Sequence, residues 1–225
     1  MLNVEVLRGA LIVSCQAHGE HPMRDPSMIS ALAQCAERGG AAAIRADGPE
    51  NVQSIREAVA LPIVGIYKVP RGERFFITPT LEHAREVVEA GADVVALEAT
   101  LENRPDQVEL EDLVLRIGGQ LGVPVMADIS TFEEGIRAWK SGAKLAATTL
   151  SGYTRHSPER DGPDLDLVKE LAAAGVPVVA EGHVRTPEQV TELFNRGAHS
   201  VVVGTAITDP ATITSRFVSA AKGQA

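Results

Sequence analysis

Lys68 ends the run Pro62-Ile63-Val64-Gly65-Ile66-Tyr67-Lys68, which carries no charge until that last residue. A run apolar on both faces belongs in a buried parallel strand. An ammonium group at its carboxyl end is costly unless something there uses it, and in parallel α/β folds that end is where ligands sit. An amine so placed can move a proton at carbon, but at its free pKa of about 10.4 it is a poor base. Burial and a nearby Arg45 would lower that pKa and neighbouring carboxylates would raise it; the sequence leaves the balance open. Glu181 is the natural partner, as a second acid/base or as a carboxylate that polarises a ligand hydroxyl. Asp128 and Glu98 fit two roles: orienting the lysine and binding hydroxyls, or simple ion pairing with Lys68 and Arg45.

These residues share a rim if each closes a strand. Two punctuation marks recur. Gly-Ala pairs at Gly40, Gly91, Gly142 and Gly197 fall 51, 51 and 55 residues apart, and apolar-Pro pairs at Leu61-Pro62, Val123-Pro124 and Val176-Pro177 alternate with them. Glycine favours the position just past a helix and proline is tolerated at a strand start, so each mark reads as helix end, strand start. Strands are predicted near Ala10–Cys15, Ala41–Arg45, Ile63–Tyr67, Val94–Leu97, Val125–Ala127, Leu145–Thr148, Val178–Ala180 and Ser200–Val203. Helices fall over Pro26–Arg38, Pro49–Ala60, Thr80–Ala90, Gln107–Leu121, Thr131–Ser141, Asp164–Ala174, Thr186–Arg196 and Pro210–Ala221. Thr131 and Thr186, each with acidic residues in the following turn, read as helix caps.

Eight βα units in 225 residues predict an α/β fold, a single-domain (β/α)8 barrel over 1–225, with 1–9 capping its amino-terminal mouth. Six of the eight strands then end in a charged or amide side chain: Gln16, Arg45, Lys68, Glu98, Asp128 and Glu181. A barrel built only for stability has no reason for that ring. Gly182 and Gly204-Thr205 follow strands seven and eight, where loops of this fold bind phosphate through backbone amides; tight turns without a ligand are the plain alternative.

Composition excludes several classes. The net charge of −9 and eight unclustered aromatics argue against a nucleic-acid surface, though arginines and amides in one pocket still suit a small anion. No apolar run approaches the roughly 18 residues of a membrane span. The first residues lack the order of a signal peptide, and Cys15 and Cys35 make no disulfide framework; a cytoplasmic, reduced protein is expected. His18 and His21 lack a third ligand for a metal.

The stretches Met126-Ala127-Asp128-Ile129-Ser130-Thr131-Phe132-Glu133-Glu134-Gly135 and Thr148-Thr149-Leu150-Ser151-Gly152-Tyr153-Thr154 resemble the bacterial N-acylglucosamine-6-phosphate 2-epimerases, also called N-acetylmannosamine-6-phosphate 2-epimerases. Leu11 through Ala17, Gly40 through Ala46, Ile77-Thr78-Pro79-Thr80, Glu89 through Asp93 and Val179-Ala180-Glu181-Gly182 extend the likeness nearly end to end. The resemblance implies interconversion of N-acetylmannosamine 6-phosphate and N-acetylglucosamine 6-phosphate in sialic acid breakdown, on a (β/α)8 barrel, as a homodimer and without a cofactor. It further implies Lys68 and Glu181 as catalytic residues, Gln16, Arg45, Asp128 and Thr149 as substrate contacts, and Gly182, Gly204 and Thr205 as the phosphate grip. An isomerase or synthase for another phosphorylated metabolite on the same barrel, or a sugar-phosphate sensor, are the rival readings.

Three positions depart from the family pattern. Asp209 and His183 stand where arginine is common, and Glu98 stands where aspartate is common. The first two remove positive charge from the expected phosphate end, where Arg185 or Arg155 could compensate.

Overall fold

The computed structural model describes residues 1–17, 19–72 and 74–223. In chain order the strands are β1 (Ala10–Cys15), β2 (Ala43–Asp47), β3 (Ile63–Ile66), β4 (Lys68–Arg71), β5 (Arg74–Ile77), β6 (Val94–Glu98), β7 (Val125–Asp128), β8 (Leu145–Ala147), β9 (Val178–Ala180) and β10 (Ser200–Val203). Eight of them close a parallel barrel in the order β1-β10-β9-β8-β7-β6-β3-β2, while β4 and β5 pair antiparallel as a separate hairpin. The helices are α1 (Pro26–Arg38), α2 (Pro49–Ala58), α3 (Leu81–Glu89), α4 (Leu110–Arg116), α5 (Phe132–Lys140), α6 (Leu165–Ala173), α7 (Pro187–Asn195), α8 (Thr205–Thr208) and α9 (Pro210–Ala221). The expected (β/α)8 barrel is therefore present.

Side-chain alternation along the strands sorts the core into two shells. Ile12, Ala43, Val64, Ile66, Val94, Ala96, Met126, Leu145, Ala147, Val179 and Val202 fill the barrel, whereas Ile44, Ala46, Ile63, Val95, Ala127 and Val201 face the helices. Continuing the inward parity toward the carboxyl ends reaches Ser14, Gln16, Arg45, Asp47, Lys68, Glu98, Asp128, Thr149, Glu181 and Gly204. One periodicity thus builds both the apolar filling and the polar rim above it. Below, a 3-10 turn over Val4–Leu7 puts Leu7, 1% exposed, among the filling residues. His199 holds this cap through its backbone carbonyl to Gly9 N at 2.8 Å and its ring Nε2 to Val4 O at 3.1 Å.

Local chemistry explains the element ends. Thr131 and Thr186 form capping boxes with Glu134 and Gln189, each pair satisfying orphan amides of its helix. Gly65 lets α3 and the turn after it approach β3, since a Cβ there would lie 3.2 Å from that of Val87 and 2.7 Å from that of Ala92.

Four expectations shift. β2 runs Ala43–Asp47 rather than Ala41–Arg45, because Gly40 is still turning at φ 90°; Arg45 therefore lies inside the strand. α4 starts at Leu110, not Gln107, and its last turn, Ile117–Leu121, widens to a π-helix across Gly118-Gly119, a pair with low helix propensity. Tyr67 ends outside β3. Between the third strand and the third helix, where no element is expected, β4 and β5 form a hairpin, Pro70 being tolerated in an edge strand.

Candidate active site

The inward residues of β2 and β7 meet across the barrel. Arg45 donates from Nη1 to Asp128 Oδ1 at 3.0 Å and from Nη2 to Asp128 Oδ2 at 2.6 Å, a two-pronged pairing, and its Nη1 also lies 3.0 Å from Glu181 Oε2. Arg45 and Asp128 are 1% and 0% exposed. Burial works against the Arg45 cation, but Asp128 and Glu181 outweigh it, so its pKa rises further. Thr149 donates its hydroxyl toward both acids, 2.7 Å from Asp128 Oδ1 and 3.2 Å from Glu181 Oε2. Glu181, one residue past β9, is held at the backbone as well: its amide donates to Thr148 Oγ1 at 3.0 Å and its carbonyl accepts from the same hydroxyl at 2.9 Å. Its carboxyl pKa is raised by burial, against the pull of Arg45 and with Asp128 adding to the rise.

Lys68 follows β3 by two residues. Its Nζ donates to Gln16 Oε1 at 2.7 Å, and Gln16 Nε2 in turn donates to Ser14 Oγ at 2.7 Å. The Lys68 amide donates to Asp47 Oδ1 at 2.9 Å. The pKa of Lys68 is lowered, chiefly by burial and further by Arg45, although Asp47, Glu181 and Asp128 oppose the shift. Lys68 and Glu181, 113 positions apart in the chain, line one cavity of about 470 Å³ together with Gln16 and Thr149. Arg45 and Asp128 do not line it; they lie beneath Glu181.

Gly182, Gly204 and Thr205 line the same cavity. Gly182 needs its φ of 103°, which a side chain rarely adopts. His183 also takes a positive φ, 57°, and its ring stacks on Tyr153 with centroids 4.6 Å apart, joining the loops after β9 and β8. Asp209 caps α9 by accepting from Thr212 N at 3.0 Å and lies 3.4 Å from His21 Nε2. That accounts for one of the two histidines considered for a metal; His18 lies outside the described residues. Of the two arginines considered as compensation, Arg185 reaches the cavity and pairs with Asp161 at 2.8 Å. Arg155 is 72% exposed and pairs with Glu102 instead.

Glu98 does not join this group. It pairs with Arg74 from the hairpin, not with Lys68 or Arg45. Two residues escaped the sequence reading. Asp47 was hidden because the second strand was ended two residues early, though its parity with Arg45 marks it as inward. Arg216 lines the cavity from α9 and has no ion-pair partner among the described residues; nothing local in the sequence signals that a helix-borne arginine reaches this mouth.

A lysine whose folded pKa lies below its ordinary 10.5 costs stability wherever it is protonated in both states. Between the lowered value and 10.5 the unfolded chain binds the extra proton, so stability rises with pH there. Lys68→Met is expected to melt above the parent at pH 7, the margin shrinking as the pH approaches 10.5. Calorimetric melting across that range checks it, and equal melting temperatures at pH 7 would refute the strain on Lys68.

Comparison with known proteins bears on this site. Residues 29–223 match the family model described as "Putative N-acetylmannosamine-6-phosphate epimerase". A relative of that name (2-epimerase) from Caldanaerobacter subterraneus subsp. tengcongensis is 46% identical over 219 residues, 96% of this chain and 92% of its own. Another, from Cutibacterium acnes, is 44% identical over 94% of this chain and 93% of its own. The solved structure of the N-acetylmannosamine-6-phosphate 2-epimerase from Clostridium perfringens superposes with a TM-score of 0.92 at 41% identity, covering 96% of this chain and 95% of that one. The chain belongs to the N-acetylmannosamine-6-phosphate 2-epimerase family.

Proposed function

We propose that this protein is an isomerase that interconverts N-acetylmannosamine 6-phosphate and N-acetylglucosamine 6-phosphate, in the cytoplasm and in the breakdown of amino sugars such as sialic acid. The observation that carries this reading is the meeting of Lys68 and Glu181 in one cavity, with the amine's pKa lowered and the acid's raised. In the open-chain sugar, C2 is α to the aldehyde, so its proton can leave with the electron pair delocalised onto the aldehyde oxygen. Lys68 in its uncharged form takes that proton, and Glu181 in its protonated form returns one to the opposite face of C2, the forms that burial favours in each. Solvent protons then reset both groups. Gln16 holds the Lys68 amine on line, while Arg45 and Asp128 act from below, setting the position and charge of Glu181. Thr149, shared between Asp128 and Glu181, bridges that buried pair to the sugar.

The 6-phosphate lies against the amides at Gly182, Gly204 and Thr205. Arg216 supplies the positive charge at that end, since Asp209 is engaged by Thr212 and His21, and Arg185 by Asp161. The assembly is a homodimer. What supports this is α9, which has no buried residue and leaves Phe217 73% exposed beside Val218 at 45%, an apolar face that a second copy would cover.

Three outcomes are expected. Lys68→Ala loses about 10²–10⁴-fold in rate and no longer exchanges the C2 proton with deuterated water, followed by NMR; near-normal exchange would remove Lys68 from its role. A panel of sugar phosphates in the same experiment separates this reading from an isomerase of another substrate. Arg216→Ala raises KM for the sugar phosphate about tenfold with little change in kcat, as loss of uniform binding does; an unchanged KM would exclude Arg216 from the phosphate end. Phe217→Glu shifts the mass seen by light scattering from dimer to monomer, and a parent that is already monomeric would refute the assembly.

A further inference from the structure

Lys68 is the first residue of the β4–β5 hairpin, and the other face of that hairpin carries an ion pair between the half-buried Arg74 and the buried Glu98 that the proposed reaction does not use. The register Lys68↔Ile77, Val69↔Phe76 and Arg71↔Arg74 decides which residues share a face, because cross-strand partners point the same way and neighbours along a strand alternate. Lys68 and Ile77 share one face. Ile77, 4% exposed, packs among the residues filling the barrel, while Phe75, on the same face nearer the tip, is 45% exposed. Val69, Phe76, Arg71 and Arg74 share the other.

On this second face Phe76 is 1% exposed, with the guanidinium carbons of Arg71, Arg74 and Arg104 at 5.3, 5.6 and 5.7 Å from its ring centre. Arg74 Nη1 donates to both oxygens of Glu98, each at 3.1 Å. Glu98 closes β6, is 0% exposed, and also accepts from Thr100 Oγ1 at 2.7 Å. Arg104 donates to the Glu98 carbonyl, and Arg71 donates to Asn103 O at 2.6 Å. Arg74 Nη2 is buried without an acceptor; beyond a 3.4 Å bond from Nη1 to Phe75 O and the Phe76 ring, Glu98 is the group that holds this cation to the barrel.

We propose that the Arg74–Glu98 pair is a latch that positions Lys68 for proton transfer, an inference that rests on Lys68 being the base. Two four-residue strands have little stability of their own. At the base of the hairpin the Lys68 amide is tied to Asp47, and Thr78 accepts from Tyr67 N at 3.0 Å and donates to Ala96 O at 2.6 Å. Those bonds fix the main chain at one end only. The latch fixes the other end to β6, and the two anchors together stop the hairpin from pivoting about residue 68. Displacement of a reacting group by about 1 Å costs on the order of 10²-fold in rate. Because the base anchors survive loss of the latch, a smaller effect, about tenfold, is expected in kcat. Substrate binding at the far end of the cavity is untouched, so KM stays within about twofold.

The test compares Arg74→Ala, Arg74→Lys and the parent by three readouts: kcat, KM, and amide hydrogen exchange across residues 68–77. The latch predicts faster hairpin exchange and a roughly tenfold lower kcat in Arg74→Ala, with KM held, and recovery of most of both in Arg74→Lys. Since Arg74→Ala strands the Glu98 charge and can fail to fold, the double variant Arg74→Met/Glu98→Met, which removes both charges of the pair together, serves as a second route to the same readouts. Unchanged hairpin exchange, an unchanged kcat despite a loosened hairpin, or a rise confined to KM each overturn the latch while leaving the epimerase intact. A parent protein inert toward both sugar phosphates overturns the functional reading, and the catalytic purpose of the latch with it.

Discussion

The interior of a closed barrel tolerates a charge only when that charge is answered within it, and the guanidinium of Arg45 sets how the answer is arranged. It is taken up by Asp128 from β7 and by Glu181 from the end of β9, with Thr149 bridging the two acids. Removing one member of such a buried group strands the others at a cost of about 3–5 kcal/mol, whereas replacing the whole group by apolar residues is often neutral or stabilising. Stability alone therefore gives no reason to keep it. What the group provides is a fixed carboxyl group: Glu181 is gripped at its backbone, at one oxygen and from beneath, and only its remaining surface, 13% of the side chain, meets the cavity.

The same low-polarity surroundings act on the amine and the acid in opposite senses, and both shifts favour the uncharged form. Burial lowers Lys68 and raises Glu181. Opposed shifts of this kind suit the proton exchange at one carbon that we propose for the pair. The contrast with Cys15 is instructive. Burial pushes its thiol up to about 12, and with no basic neighbour or cavity contact among the described residues that shift makes it inert filling, not chemistry.

The barrel and most of its rim were legible in the sequence because both follow from local rules. The glycine and proline punctuation marks the strand starts, and period-two alternation then places Arg45, Lys68, Asp128 and Glu181 on the inward parity. What was not legible depends on contacts between distant segments. Glu98 lies on the same parity as the others and looks equally available, yet a cation arriving from a hairpin 24 residues earlier in the chain takes both its oxygens. The hairpin was obscured by Pro70, and Arg216 by the length of chain between it and the residues it joins. Asp209 breaks the family's charge pattern at a glance, but in the fold it is a helix cap with a histidine neighbour.

Leu7 carries a consequence for traffic. By stopping the amino-terminal end of the barrel with an aliphatic plug seated on Ile12, Val64 and their neighbours, the chain turns the site into a blind alley. Among the described residues the cavity is lined at its mouth by Tyr153, His183 and Arg216 of α9, so sugar, product and exchanging water share that doorway. Whatever narrows that doorway regulates substrate entry, product exit and isotope washout together.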